Sequence, residues 1–192
     1  MRAVLALVLF LLSQLAVAQA VSPAAPAAGQ PSVSAPLSLS SYRLGIGDII
    51  TVKVFGEDDL SREKVKVTDA GTVAYPVLGE IKVLGRTVGE LEKLVADGLR
   101  GRYLVNPRVS VFVDEYRPFF VDGQVARTGG YPYQPGLNVA KAISLAGGLR
   151  ERASVNKMFV IREGDKPQNR IKVDMSTDVR PGDILVIEES FF

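Results

Sequence analysis

The chain contains no cysteine, no histidine and no tryptophan. Without cysteine it carries no disulfide, so its folded part is held by an apolar core alone. The same absence removes the thiol to which a lipoprotein leader would attach a lipid. Without histidine or cysteine, a Ser-His-Asp triad, a Cys-His pair and the usual zinc sites cannot be assembled. Enzymatic chemistry is thereby confined to carboxylates or lysine. A large excess of either charge is also missing: 23 basic residues face 21 acidic ones. Such a balance, with the signs interspersed, leaves no electrostatic footprint for nucleic acid.

What is present begins with the leader. Met1-Arg2 is a short basic start, Val4 to Leu12 is uninterrupted and apolar, and Ala18-Gln19-Ala20 offers a small-x-small cleavage site. This is the pattern of a secretory signal peptide over residues 1–20. The apolar run is shorter than the roughly 20 residues that span a bilayer, and no second long run appears. Residues 21–40 read VSPAAPAAGQPSVSAPLSLS, uncharged and rich in proline, alanine and serine. That composition suits an extended or flexible spacer with little to bury.

From Tyr42 onward the texture becomes short β-rich segments punctuated by turns. Ile49 to Phe55 alternates apolar and polar residues, Gly56-Glu57-Asp58-Asp59 interrupts it, and Val65 and Val67 lead into the turn Asp69-Ala70-Gly71. Thr72 to Leu78 reads as extended, with Pro76 marking an edge or bulge. Thr87-Val88-Gly89-Glu90 is a capping box, succeeded by Val88, Leu91, Leu94, Val95 and Leu99 at helical spacing and by the stop signal Gly101. Val109, Val111 and Val113 alternate as a strand. A second region begins near Arg117: a strand over Phe119 to Val125, turns over Arg127 to Tyr131 and Tyr133 to Gly136, then a helix capped by Asn138 with Val139, Ala142, Ile143 and Ala146 on one face. Met158 to Ile161, Ile171 to Val173 and Ile184 to Ile187 complete a small mixed sheet with a helix on one face. Gly47-Asp48-Ile49-Ile50 and Gly182-Asp183-Ile184-Leu185 echo one another, but the match is too short for a structural repeat.

These motifs together resemble the bacterial polysaccharide biosynthesis/export family. Tyr42-Arg43-Leu44-Gly45-Ile46-Gly47-Asp48 is similar to the family's opening YxLGPGD. Thr68 to Gly71, Tyr75 to Gly79, Gly85 to Thr87 and Glu90-Leu91 are similar to its next stretch. Val121 to Val125, Tyr131 with Pro135 to Leu137, and Ala142-Ile143 with Ala146 to Gly148 resemble the SLBB domain, a β-grasp module, and Pro181 to Ile184 its closing strand. Ile46 and Thr128 stand where the family often has proline.

The resemblance implies an α+β fold: a polysaccharide export domain over 41–115, then a small SLBB-like β-grasp domain over 116–192. It implies a non-enzymatic component of capsule or exopolysaccharide export, in the periplasm or associated with the outer membrane. Expected partners are copies of itself in a ring, the exported polysaccharide, and an outer-membrane β-barrel or inner-membrane co-polymerase. The sequence stops at Phe191-Phe192 without the amphipathic helix of larger relatives, so a pore would need such a partner. An alternative is a periplasmic soluble-ligand-binding module with a sensing role.

No catalytic, cofactor-binding or metal-binding residue is assigned. Gly45-x-Gly47-Asp48 lacks the subsequent helix and GK[ST] of a phosphate loop and reads as a tight turn. Glu57-Asp58-Asp59 lacks the remaining ligands of a calcium loop and reads as a solvated turn. Asp48, Asp69, Asp122 and Asp183 all lie close to glycine, where a carboxylate accepts backbone amides; no spacing makes two of them a glycosidase pair. Tyr131, Tyr133, Phe119 and Phe120 are either core or a platform for sugars or a neighbouring subunit. Phe191 and Phe192 either pack on the domain or dock on a partner.

Overall fold

The computed structural model describes residues 41–190. The leader, the spacer and Phe191-Phe192 lie outside the described residues. Two hydrophobic cores, one after the other along the chain, organise the described part.

The first core is built by β1 (Ile49–Val54), β2 (Arg62–Lys66), β3 (Thr72–Tyr75), β4 (Gly79–Lys82), α1 (Val88–Leu99) and β5 (Val109–Glu115). The central strand β1 pairs antiparallel with both β2 and β5, and β3 and β4 form a separate hairpin. Ile50, Val52 and Val54 are buried on one face of β1, as period-two alternation requires. Thr51 points the other way and is buried too: its hydroxyl donates to Asp114 Oδ2 at 2.7 Å and accepts the Lys64 amide at 3.1 Å. That amide is free because the β1–β2 register shifts there, with Lys64 in the left-handed region at φ 49°.

Helix α1 starts where the capping box is expected. Thr87 accepts the Glu90 amide, and Glu90 Oε2 accepts the Thr87 amide at 2.8 Å. Leu91, Val95 and Leu99 fill the core below it. Glu92 reaches sideways to take the Val111 amide of β5 at 2.9 Å, covering one donor on an otherwise open sheet edge. The extended stretch expected over Thr72 to Leu78 is shorter in fact. Strand β3 ends at Tyr75, because Pro76 offers no amide and Val77 turns with φ 56° into β4.

The second core is covered by a mixed sheet in the order β7-β6-β10-β8-β9, comprising β6 (Phe119–Gly123), β7 (Gly129–Tyr131), β8 (Ala153–Ile161), β9 (Ile171–Val173) and β10 (Ile184–Glu189). β10 runs parallel to β6 and antiparallel to β8. Helix α2 (Val139–Leu145) closes one face with Val139, Ala142 and Ile143, and Asn138 Oδ1 caps it by accepting the Lys141 amide at 3.0 Å. The α+β fold and the helix-on-sheet layout match the sequence expectation. Gly129 to Tyr131, read as part of a turn, is instead the short strand β7, formed by pairing with β6 rather than by any strand preference of Gly-Gly-Tyr. Among the described residues no helix is long and apolar enough to cross a membrane.

Candidate functional site

The echoed Gly-Asp sequences fold into the same turn. In each, a β-turn has glycine third, Gly47 at φ 91° and Gly182 at φ 83°, a conformation that glycine adopts at no steric cost. Each aspartate folds back on the residue three before it. Asp48 Oδ2 accepts the Gly45 amide at 2.8 Å, and Asp183 Oδ2 accepts the Arg180 amide at 2.7 Å. The backbone answers in kind, the Asp48 amide donating to the Gly45 carbonyl and the Asp183 amide to the Arg180 carbonyl. Ile46 and Pro181 occupy the equivalent second position, so losing the proline does not unmake the first turn.

Both aspartates are buried, and both are matched by arginine. Asp48 is fully buried beneath Arg117, which lies on the three-residue connector between β5 and β6. Arg117 donates its amide to Asp48 Oδ1 at 2.9 Å and its guanidinium to Oδ2 at 3.2 Å. Tyr42 Oη donates to Asp48 Oδ2 at 2.6 Å and accepts from Arg117 Nη1 at 2.7 Å. The other fork of Arg117 reaches into the second half, pairing with Glu163 Oε2 at 2.6 Å. Its path is possible because Gly45 lacks a side chain: a Cβ there would lie 2.1 Å from Arg117 Nη1. Asp183 in turn pairs with Arg162, just past the end of β8.

Three tyrosines run alongside this clasp. Tyr116 packs edge-on against Tyr42 at 5.0 Å and against Tyr133 at 5.4 Å, so one ring from each half flanks the connector. Burial, then the hydrogen bond to Asp48, pushes the Tyr42 hydroxyl far above its ordinary range, so it stays protonated. Burial works against the Arg117 charge, but Tyr42, Asp48 and Glu163 outweigh it and hold the guanidinium above its usual value. Burial also raises the Asp183 carboxyl, only partly offset by the Arg180 amide and Arg162.

A cleft of about 360 Å³ opens over the clasp, lined by Ser41, Tyr42, Arg43, Arg117, Arg162, Glu163, Arg180, Pro181 and Asp183. The remaining candidates scatter. Asp122 Oδ1 accepts the Gly123 amide at 2.8 Å, as expected of an aspartate beside glycine. Asp69 accepts no backbone amide among the described residues; the Thr68 hydroxyl ties that turn instead, accepting the Thr72 amide. Glu57, Asp58 and Asp59 are exposed on a 3₁₀ turn, and among the described residues no three such side chains converge where an ion would sit. Phe119 is fully buried with Tyr131 tilted against it, while Phe120 projects to the opposite, exposed face. Neighbours on a strand alternate sides, so Phe120 shares no platform with Phe119 and Tyr131.

Comparison with known proteins divides the chain at this connector. The family model described as polysaccharide biosynthesis/export protein matches residues 37–114, and that of the SLBB domain matches residues 118–170. The chain is 34% identical over 134 residues to the exopolysaccharide production protein ExoF of Rhizobium meliloti (strain 1021), covering 62% of this chain and 30% of that one. It is 26% identical over 150 residues to the EPS I polysaccharide export outer membrane protein EpsA of Ralstonia nicotianae, covering 65% and 39%. The chain thus spans well under half the length of these curated relatives. In the order of its two matched regions, the chain carries a polysaccharide biosynthesis/export domain followed by an SLBB domain.

Proposed function

We propose that this protein is a non-catalytic component of an exopolysaccharide export apparatus in the cell envelope. The observation that carries the reading is the succession of an export-family region and an SLBB region, 37–114 and 118–170, in one chain. The names of its relatives, an exopolysaccharide production protein and an outer-membrane export protein, point the same way. The secretory leader supports a periplasmic location, with association to the outer membrane through a partner. Copies assemble side by side into a ring or collar that guides polymer, and an outer-membrane β-barrel or inner-membrane co-polymerase completes the path. A clasped, two-core body suits this role, because a collar that guides a chain must keep its shape while polymer slides past.

Deleting the gene tests the reading. Polymer is expected to accumulate inside the envelope while the synthesis enzymes remain active. Normal surface polymer in the deletion strain would count against it. Light scattering on the purified protein tests the ring, a uniform oligomer being expected.

A further inference from the structure

The cleft above the clasp is built as a recognition site rather than as a packing defect. Four arginines line it, Arg43, Arg117, Arg162 and Arg180. Three carboxylates stand against them, and two of these, Asp48 and Asp183, are buried behind the arginines they hold. Arg117 and Arg162 are therefore fixed in place, their side chains only 14% and 22% exposed. Arg43 leans on the Gly85 carbonyl at 2.7 Å and lies 3.7 Å from Glu90, outside the cleft. Arg180 sits exposed at the rim, and its side chain makes no hydrogen bond or ion pair among the described residues. Arg117 and Arg162 are held by carboxylates, so Arg180 is the wall cation left to meet a ligand. Planar guanidinium forks suit the two oxygens of a carboxylate.

The cleft is not purely a site for anions. Glu163 lines it together with Tyr42, its side chain about half exposed, 48%. A carboxylate beside the arginines disfavours a doubly charged phosphate and accepts hydrogen bonds from hydroxyl groups. The ligand that satisfies both walls carries one carboxylate and several hydroxyls. The volume lies at the small end of ligand sites, roughly 300–1,000 Å³, which suits one ring residue rather than a stretch of chain. We infer that this cleft binds an acidic sugar of the uronic-acid type, as a single residue or at the end or branch of a polymer. The saccharide half of this inference rests on the export reading; the anionic half rests on the arginines alone.

Calorimetric titration of the purified, processed protein tests it, with glucuronic acid, its short oligomers, neutral glucose oligomers and inorganic phosphate as probes. Saturable binding of glucuronate is expected, with no binding of the neutral oligomers and weaker binding of phosphate. Arg180→Glu adds no buried charge and is expected to keep the melting temperature while weakening glucuronate binding at least tenfold; Arg43→Gln is expected to weaken it less. Equal binding of neutral oligomers, tighter binding of phosphate, no glucuronate binding at all, or unchanged affinity in Arg180→Glu would each overturn the assignment. The deletion phenotype is read separately. Loss of export without glucuronate binding sinks the cleft alone, and glucuronate binding with normal export sinks the export role alone.

Discussion

The two Gly-Asp turns share a backbone and differ in what they hold. The first uses both oxygens of Asp48 and spans 69 residues of sequence to capture Arg117, whose other fork enters the second half. The second receives two hydrogen bonds, both on Asp183 Oδ2, and binds Arg162 just past the end of the adjacent strand of its own sheet. One device therefore does two jobs: the Asp48 turn joins the halves, and the Asp183 turn fastens a strand end. A buried charge pair adds little net stability when intact, but removing one member leaves the other without compensation.

The comparison breaks most visibly at Asp48. Asp48→Ala strands the Gly45 and Arg117 amides, takes the acceptor from the Tyr42 hydroxyl and leaves the buried Arg117 guanidinium with only half-exposed Glu163 as counter-charge. The expected loss is about 3–5 kcal/mol, the range for breaking a buried pair. Urea unfolding measures it, and a loss below that for Asp183→Ala would reverse the assigned roles. Asp183→Ala removes two hydrogen bonds, and the Arg162 it leaves behind is partly solvated. Its expected loss is smaller, about 1.5–3 kcal/mol, the scale for hydrogen bonds to a charged group.

This difference also shows what a reader of the sequence can and cannot see. The echo of Gly47-Asp48 in Gly182-Asp183 is visible, and so are the caps at Thr87 and Asn138, because each is a local pattern with a local cause. The echo is a structural repeat only at the scale of one turn. Arg117 is not visible: an arginine between Tyr116 and Pro118 looks like any connector residue until the fold brings Asp48 and Glu163 to it. The cleft is hidden for the same reason, since its arginines are scattered from position 43 to 180. Strand β7 and the turn at Val77 escape a sequence reading because tertiary pairing, not propensity, decides such short segments. A left-handed φ at a β-branched residue is one that no propensity scale selects.

Acidity probes the second turn by itself. Burial raises the Asp183 carboxyl above its ordinary value near ~3.9. The folded protein therefore holds a proton on Asp183 that the unfolded chain has released, and stability falls as pH rises from the ordinary value through the raised one. Asp183→Asn keeps an acceptor for the Arg180 amide and removes the titration. Wild-type stability relative to this variant is expected to decline with rising pH across that window and then level off. Glu90 and Asp174, both held below their usual values by hydrogen bonds to Thr87 and Ser176, contribute with the opposite sign. They are unchanged in the variant and cancel in the difference. Urea titrations over a pH series supply the test, and a relative gain with rising pH would contradict it.

Glu163 sharpens the comparison at its weak end. It is the second half's hold on Arg117, yet its side chain is half exposed, and an ion pair so placed is worth about 0–1 kcal/mol. Glu163→Ala should therefore cost little, less than either aspartate, and salt should shrink the cost further. If the halves depended on this pair, the loss would approach that of Asp48→Ala, and the two substitutions together would cost less than their sum. If they depend instead on the Arg117 amide, the buried Asp48 and the edge-on Tyr42–Tyr116–Tyr133 contacts, the coupling through the shared Arg117 should stay below about 1 kcal/mol. The double-mutant cycle decides whether the connector is locked from the first half alone or from both sides. Such weak coupling is expected, because the Arg117 amide is held by Asp48 and not by Glu163.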